Sequence, residues 1–426
     1  MDLNILRALA NRDRYRILRA SVPDDMLDQN TVSILGWYGV YFNKYPEHTN
    51  IQWDALATLM TLGIQDKTHL ELIRQIIQQV QKPVGDDVIA NTINQLGELR
   101  LAGEVGKLVA DYNSGEEIDL TFELQRITQQ ASERMLAVSG EGWANADILE
   151  YLEAEADDSG IDLFKSIGAL SERIRRVRPG KNIAIAAPTD AGKTSLLCRI
   201  AVDAAIQGQE MYPDRPVLYL VNEGTAEAIT PRVYQTALAL QKSELLSLAR
   251  AGELTKRYEA IVGRRDAIRL QNIHGLSIAE ISKIIDQHKP FLVITDMTGR
   301  IHTSKAYKDE FVKVEQIWNA MREQAAIQDF IHIGTVQVSG DGYDQLHPPM
   351  TALQMSRVGI QTTLDLLLIM GCLLNPTLEK LRGFSTPKNK LAKEGFSKLN
   401  FIEGWFEYEK NEWQNFVATA AKQESK

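Results

Sequence analysis

The chain has 426 residues, 44% of them hydrophobic, which predicts two or three globular domains with sizeable apolar cores. Its two cysteines and seven histidines lack the Cys-x-x-Cys and His-x-x-x-His spacings, which excludes a zinc ribbon, a disulfide framework and a transition-metal site. The net charge of −9 argues only weakly against nucleic acid as a partner, because a local basic channel can bind phosphates in an acidic molecule.

The sequence predicts neither a secretory leader nor a membrane span. Its first residues lack the organisation of a signal peptide. The longest apolar run, Leu366–Leu374, is less than half of a membrane span and is better interpreted as a buried strand. We therefore expect no membrane partner and a reducing, cytoplasmic setting, which would be the host cytoplasm for a phage-encoded chain.

Residues 1–112 are predicted to form an all-helical domain. Apolar residues recur there at helical spacing in two segments; they are Leu70, Ile73, Ile76, Ile77 and Val80, and then Val88, Ile89, Ile93, Leu96 and Leu99. No catalytic cluster is present in this region. Because apolar stripes usually face a core, we expect a packing or assembly domain.

Residues 113–160 are predicted to be a linker region with one helix, at about 118–136. Asn113-Ser-Gly115 and Ser139-Gly-Glu-Gly142 punctuate the sequence on either side of this helix. A helix between two loops must bury its apolar side, either on its own domain or against a neighbouring subunit. Both alternatives remain open at the level of sequence.

Residues 161–416 alternate short apolar strands with helices, which predicts an α/β domain with a mostly parallel, twisted sheet and flanking helices. The predicted strands are 183–186, 217–221, 268–270, 291–295, 331–335 and 364–370. Ser277-Ile-Ala-Glu280 forms a capping box that predicts the start of a helix. Alternation over 398–402 and 405–408 predicts a terminal antiparallel hairpin, and 417–426 forms a polar tail.

A phosphate-binding loop is predicted between the first strand and the helix that follows it. The segment matches the pattern G-x-x-x-x-G-K-[ST] except for alanine in the first position. In this context backbone N–H groups face an anion, Lys193 reaches the β- and γ-phosphates, and the Thr194 hydroxyl binds Mg²⁺. The predicted ATP-binding residues are Ala187, Pro188, Thr189, Asp190, Ala191, Gly192, Lys193, Thr194 and Ser195.

Two carboxylates end apolar strands downstream of this loop. Asp296 follows Phe291–Thr295 and is predicted to hold Mg²⁺ together with Thr194. Glu223 follows Val217–Val221 and is the better candidate for the general base that activates water. The alternative for each residue is a carboxylate that only caps the next helix.

The order of these motifs resembles the RecA-like ATPase core, and within that group the DnaB-type replicative helicases. The resemblance covers about residues 160–416. It implies an ATPase role for Arg232, which follows Glu223 by nine positions, and for Gln337, which ends a further strand and would sense the γ-phosphate. Before residue 160 it rests on architecture alone, an all-helical domain and a linker helix.

The resemblance also implies a catalytic finger that reaches the γ-phosphate of a neighbouring subunit. The family has a K-x-R element at this place, whereas this chain has Lys388 and Lys390. Lysine supplies a point charge without the bidentate fork of arginine, so this finger would be weaker. Arg382, a few residues upstream, is an alternative, and a solvated basic loop is another.

The family binds DNA through loops after the Asp296 strand and after the Gln337 strand. The corresponding residues here that can meet phosphates are Arg300, Lys305, Lys308 and Arg357. Either segment is equally compatible with an ordinary surface loop.

The resemblance implies a hexameric ring helicase that hydrolyses ATP with Mg²⁺, moves 5′ to 3′ on single-stranded DNA and unwinds forked DNA. A separate primase would be needed, because the chain lacks the cysteines of a fused zinc-ribbon primase, and a helicase loader is a further expected partner. A RecA- or RadA-type strand-exchange ATPase is the nearest alternative. A non-motor ATP-binding switch, such as a helicase-loading or clock-type regulator, is the second.

Overall fold

The computed structural model of the chain describes residues 2–22, 24, 27–63, 66–82, 85–139, 148–303, 309–353 and 359–419. The chain divides into two compact units, Met1–Ile148 and Leu149–Lys426. Each unit has a hydrophobic core of its own. The domain bounds expected from the sequence, at residues 112 and 160, lie on either side of this division.

The described part of the first unit is helical. Its helices are α1 (Asp2–Ala8), α2 (Arg12–Leu18), α3 (Gln29–Lys44), α4 (Trp53–Gly63), α5 (Lys67–Val80), α6 (Asp86–Asn113) and α7 (Leu120–Ser139). The periodic segments at 70–80 and 88–99 lie in α5 and α6, as predicted. None of the helices in the described ranges of the chain is long and apolar enough to cross a membrane.

The predicted linker helix is α7, and it packs against α6 of the same unit. Arg134 on α7 donates to Glu104 on α6 at 2.6 Å. This hydrogen bond lowers the pKa of the Glu104 carboxyl. Gly97 of α6 lies so close to Met135 that a Cβ there would be 2.4 Å from the Met135 sulfur. The structure thus shows this helix packed on its own domain.

The second unit is an α/β domain built on one nine-stranded sheet. Its helices are α8 (Ile148–Ala156), α9 (Gly168–Ser171), α10 (Lys193–Met211), α11 (Ala226–Leu238), α12 (Lys242–Arg250), α13 (Leu254–Val262), α14 (Ile278–His288), α15 (Glu310–Ile327) and α16 (Gly359–Thr363). Its strands are β1 (Asn182–Ala187), β2 (Val217–Val221), β3 (Ile268–Asn272), β4 (Leu292–Asp296), β5 (Ile331–Gln337), β6 (Leu366–Cys372), β7 (Leu381–Asn389), β8 (Phe401–Glu407) and β9 (Glu412–Thr419).

The strand order is β3-β2-β4-β5-β1-β6-β7-β8-β9. Strands β1 to β6 pair in parallel, whereas β7, β8 and β9 extend the sheet in antiparallel fashion. The sheet brings the carboxyl ends of β1, β2, β4 and β5 to one edge. In open α/β sheets ligands bind at this edge, so the topology places a candidate site there.

Both faces of the parallel sheet are buried, because successive side chains of a strand point to opposite faces. On β1, Ile183 and Ile185 belong to the core shared with α10, whereas Ala184 and Ala186 pack in a cluster with Trp318 of α15. Full burial of an isoleucine side chain such as that of Ile183 or Ile185 stabilises the fold by about 1.5–3 kcal/mol. Helix layers on both faces therefore hold the carboxyl edge of the sheet in place.

The six parallel strands agree with the sequence prediction to within about two residues, but the terminal hairpin differs. Residues 401–407 form one continuous strand, β8, and its hairpin partner is β9. Gly404 lies within β8 rather than in a turn. A Cβ at Gly404 would be 2.4 Å from the ring of Phe416 on β9, so this glycine permits close packing of the two strands.

Candidate active site

The predicted phosphate loop, residues 187–195, joins β1 to α10 as expected. Gly192 has a φ of 103° and directly precedes Lys193, the first residue of α10. This backbone conformation favours glycine, and Asp190 adopts a second positive φ of 59°. Ala187, at the first glycine position of the pattern, is the buried last residue of β1. The alanine is therefore compatible with the strand-to-helix geometry of the loop.

The two strand-end carboxylates converge on this loop because β2 and β4 are neighbours in the sheet. The Lys193 ammonium nitrogen lies 3.4 Å from Glu223 Oε2 and 3.4 Å from Asp296 Oδ1. Asp296 is buried, whereas the side chain of Glu223 is 40% exposed. The exposed position suits a base that must meet water, and the buried one suits a fixed ligand.

Hydrogen bonds from two neighbouring strands hold the Asp296 carboxylate. Thr335 on β5 donates to Oδ1 at 2.9 Å, and Tyr219 on β2 donates to Oδ2 at 3.3 Å. Burial, together with the Asp296 charge, raises the pKa of Tyr219 well above its usual value. Tyr219 therefore stays a neutral donor, and Asp296 keeps a fixed orientation towards α10.

Thr194 and Asp296 form an oxygen pair that fits Mg²⁺. Thr194 Oγ1 lies 3.4 Å from Asp296 Oδ2. Adjacent ligands of an octahedral Mg²⁺ lie about 3 Å apart, since each bond is about 2.1 Å long. The hydroxyl and the carboxylate therefore match the ion in chemistry and spacing, either directly or through one bound water.

Gln337, the last residue of β5, contacts the phosphate loop. Its Nε2 atom donates to Thr189 Oγ1 at 3.1 Å, and the Tyr343 hydroxyl lies 2.5 Å from the same oxygen. Both contacts connect the segment after β5 to the tip of the loop. Gln337 thus lies where the occupancy of the phosphate site can be transmitted to the following loop.

The loop opens into a cavity of about 720 Å³, called here the nucleotide cavity. One wall consists of the phosphate loop with Glu223, Gln337 and Arg232. The rest of the lining comes from Gln235 of α11, from Gln241, Lys242 and Ser243 at the start of α12, and from Phe406, Tyr408, Glu409 and Asn411 around the β8–β9 turn. The volume suffices for a nucleoside triphosphate, since ligand pockets typically span about 300–1,000 Å³.

Arg232 and Arg300 approach the site from two sides. Arg232 is an exposed residue of α11 and lines the nucleotide cavity. Arg300 ends a 3₁₀ turn (Thr298–Arg300) just after β4, and its guanidinium lies 3.6 Å from Glu223 Oε1. Arg300 therefore connects the candidate base to the start of the first candidate DNA loop.

The lysines of the predicted finger lie far from the phosphate loop of their own chain. Lys388 is in β7 opposite Leu367, and the Lys390 backbone donates to Asp365 beside the first residue of β1. The six residues of β1 put about 16 Å between its two ends, at about 3.3 Å per residue. Neither lysine is placed at its own phosphate loop, and the Lys390 ammonium nitrogen lies 3.8 Å from Asp365 Oδ1. The solvated-loop alternative is wrong for Lys388, which is a partly buried strand residue.

Arg382 does not fit the alternative role of a finger for a neighbour. It is 1% exposed, and its Nε atom donates to the carbonyl of Ala191 in its own phosphate loop at 2.5 Å. A guanidinium held in this way cannot extend into another subunit. Among the other expected DNA-contact residues, Lys305, Lys308 and Arg357 lie outside the described residues.

Comparisons with known proteins bear on the fold that carries this site. Residues 150–341 match the family model of the AAA domain, and this segment contains the phosphate loop, Glu223, Asp296 and Gln337. A DnaB-like replicative helicase, solved together with its interactions with primase, superposes with a TM-score of 0.62 at 13% identity, over 97% of this chain and 98% of that one. The chain has the fold of a DnaB-like replicative helicase.

A second solved structure, described as an ATPase domain, superposes with a TM-score of 0.51 at 18% identity, over 64% of this chain and 97% of that one. The first superposition includes the helical unit, whereas the second covers a share of the chain close to that of the α/β unit. No curated protein matches the sequence. Both superpositions show a shared fold.

The sequence does not predict several residues of the site. Tyr219 and Tyr343 hold Asp296 and Thr189, and the β8–β9 turn supplies a wall of the nucleotide cavity. Tyr408 lies more than 200 residues after the phosphate loop, in no motif with a known spacing. The sequence signal for Tyr408 was its place at the end of the predicted strand 405–408, and that signal does not identify its partner.

Proposed function

We propose that this chain is an ATP-driven DNA helicase that forms a ring and moves along single-stranded DNA. The observation that carries the proposal is the convergence of Glu223 and Asp296 on Lys193, each at 3.4 Å, at the mouth of the phosphate loop. A carboxylate base, a buried metal-binding carboxylate and a phosphate-binding lysine are together what hydrolysis of a nucleoside triphosphate requires. The extension of the fold match over the helical unit favours a helicase over an isolated ATPase domain.

In this proposal the chain's own groups divide the work of hydrolysis. Lys193 and the loop N–H groups hold the β- and γ-phosphates, and Glu223 takes the proton of the attacking water. Mg²⁺ held by Thr194 and Asp296 would neutralise phosphate charge when bound. Gln337 and Arg232 face the γ-phosphate region from β5 and α11. Lys388 and Lys390 would complete the site of the adjacent subunit.

The assembly expected for this function is a homo-hexameric ring. The short helix α8 supports association, because Ile148, Leu149 and Leu152 expose more than half of their surface. The loops that begin at Arg300 and after Gln337 would contact DNA phosphates, with Lys305, Lys308 and Arg357 as further basic residues. Movement would be 5′ to 3′, with forked DNA as substrate and a separate primase and a loader as partners.

The direct test is strand displacement from a forked duplex by the full chain with ATP and Mg²⁺, in parallel with Lys193→Ala. The proposal predicts displacement by the wild-type chain and none by the variant, which lacks the phosphate-binding charge. Displacement that needs a homologous partner strand would instead support a strand-exchange ATPase. Absence of displacement with slow ATP turnover, unchanged by single-stranded DNA, would support a non-motor switch.

A further inference from the structure

Arg382 is a buried residue beneath the phosphate loop that neither binding nor hydrolysis, as proposed above, uses. Its Nε atom donates to the Ala191 carbonyl at 2.5 Å, and Nη1 donates to the carbonyls of Glu379 at 2.6 Å and Leu381 at 2.8 Å. Nη2 donates to the Tyr408 hydroxyl at 2.5 Å. One guanidinium therefore joins the phosphate loop to the β8–β9 turn.

The electrostatics of this arrangement are unusual for a structural arginine. The four hydrogen bonds described all go to uncharged oxygens, whereas buried cations are usually paired with a carboxylate. Such a charge is costly to bury, and a ligand anion nearby would offset that cost. Ala191 lies two residues before Lys193, so the guanidinium adjoins the place where phosphates would bind.

The ring of Tyr408 is fixed by the same residue. The Arg382 guanidinium lies 5.4 Å from the centre of that ring, and the Tyr408 hydroxyl donates to the Glu379 carbonyl at 2.7 Å. Tyr408 lines the nucleotide cavity and remains 42% exposed. An aromatic ring that is held at its hydroxyl end and open on the cavity side can pack against a flat nucleobase.

We propose that Arg382 is a positioning residue that couples nucleoside binding at Tyr408 to the conformation of the phosphate loop. It holds the Ala191 carbonyl on one side and the Tyr408 hydroxyl on the other, so that the base and the phosphates are bound as one unit. The inference rests on the nucleotide site of the proposed function. It adds a means by which the chain would favour a nucleoside triphosphate over a bare triphosphate.

The test compares the dissociation constants of ATP and of inorganic triphosphate, both with Mg²⁺, by calorimetry. The dissociation constant of inorganic triphosphate divided by that of ATP measures the advantage that the nucleoside confers. In Arg382→Lys and in Tyr408→Phe we expect this ratio to fall about tenfold, which corresponds to about 1.4 kcal/mol. The double variant should fall no further, because both changes break the same link.

Arg215→Lys is a matched control, because Arg215 also lies over a tyrosine ring, that of Tyr212, at 5.5 Å, and lies outside the nucleotide cavity. It should leave the ratio unchanged.

An equal loss of affinity for ATP and for triphosphate in folded Arg382→Lys, or an unchanged ratio in Tyr408→Phe, would overturn the coupling. If Arg382→Lys fails to fold, Tyr408→Phe decides alone. Normal ATP binding without DNA unwinding would refute the proposed helicase but not this inference.

Discussion

At the scale of single residues, the site depends on the different surroundings of two carboxylates. Asp296 is enclosed by Thr335 and Tyr219, whereas Glu223 is partly exposed and contacted by Lys193 and Arg300. In the proposed function Lys193 would bind phosphates, and Glu223 would then act on water. The two carboxylates therefore suit different tasks although both end neighbouring strands.

Glu223→Gln should abolish turnover but spare ATP binding, because the amide keeps the shape of the side chain and cannot take a proton. We expect a loss of about 10²–10⁴ in the hydrolysis rate, the usual contribution of a general base. Phosphate release measures the rate, and calorimetry measures ATP affinity. Glu227→Gln is the control, since Glu227 is an exposed acid on α11 outside the nucleotide cavity. Near-normal hydrolysis by Glu223→Gln would refute the assignment.

His332 illustrates a residue whose burial makes stability depend on pH. It is fully buried, lies 2.8 Å from Thr295 Oγ1 and 2.7 Å from Asn182 Oδ1, and connects β5 to β4 and β1. Burial lowers its pKa from 6.5 to about 3. The unfolded chain therefore binds this proton at a higher pH than the folded chain. The neutral ring stabilises the fold fully above pH 6.5, and this contribution is lost as the pH falls towards 3.

We expect the free energy of unfolding to fall by up to about 1.4 kcal/mol per pH unit from this residue between about pH 6 and pH 4. His332→Gln should be less stable than the wild type at pH 7.5, because one hydrogen bond is lost, yet lose less stability on acidification. Urea unfolding at pH 7.5 and 5.5 measures both effects. His274→Gln, at an exposed histidine, should follow the wild type. Parallel curves for His332→Gln and the wild type would contradict the account.

At the scale of elements, local pattern and long-range packing contribute separately. The phosphate loop, the six parallel strands and the α14 capping box follow from residues close together in sequence, so the sequence predicts them correctly. The lining contributed by the β8–β9 turn depends on contacts, through Arg382 and Tyr408, with a phosphate loop about 200 residues earlier in the chain, and no local signal exists for such contacts. For the same reason the buried role of Arg382 was not predictable, since a basic residue near Lys388 and Lys390 is expected to be exposed.

The α14 capping box offers a test at this scale. The Glu280 backbone donates to Ser277 Oγ at 3.3 Å, and the Ser277 backbone donates to Glu280 Oε2 at 2.8 Å. Ser277→Ala removes one of these bonds and should cost about 0.5–2 kcal/mol of stability, measured by urea unfolding. Ser247→Ala, within α12, where the hydroxyl donates to the Ser243 carbonyl one turn earlier, should change stability by less. Equal stability of both variants would show that the cap contributes nothing.

At the scale of the whole molecule, the proposal requires that two subunits build one active site. Lys390 lies beside the amino end of β1 and Lys388 is in register with Ala184, both away from their own phosphate loop, so the proposed finger would act on a neighbour. This geometry predicts complementation in mixed assemblies. A variant without the lysines keeps a working base, and a variant without the base keeps working lysines.

We expect Lys388→Ala/Lys390→Ala and Glu223→Gln each to hydrolyse ATP slowly, and their 1:1 mixture to recover activity. In a random ring about a quarter of the interfaces would hold both intact groups. A mixture of Glu223→Gln with Lys193→Ala is the control, because both changes affect the same protomer's half of the site. It should recover nothing. Failure of the first mixture to exceed its two components would contradict a finger shared between subunits.

The most direct test of the central claim is the steady-state rate of ATP hydrolysis by the full chain with and without saturating single-stranded DNA. Coupling between the nucleotide site and loops that begin at Arg300 and after Gln337 predicts that DNA raises the rate severalfold, with no rise in Glu223→Gln. An ATPase whose rate is the same with and without DNA would contradict the account, because nucleotide turnover would then have no connection to the polynucleotide.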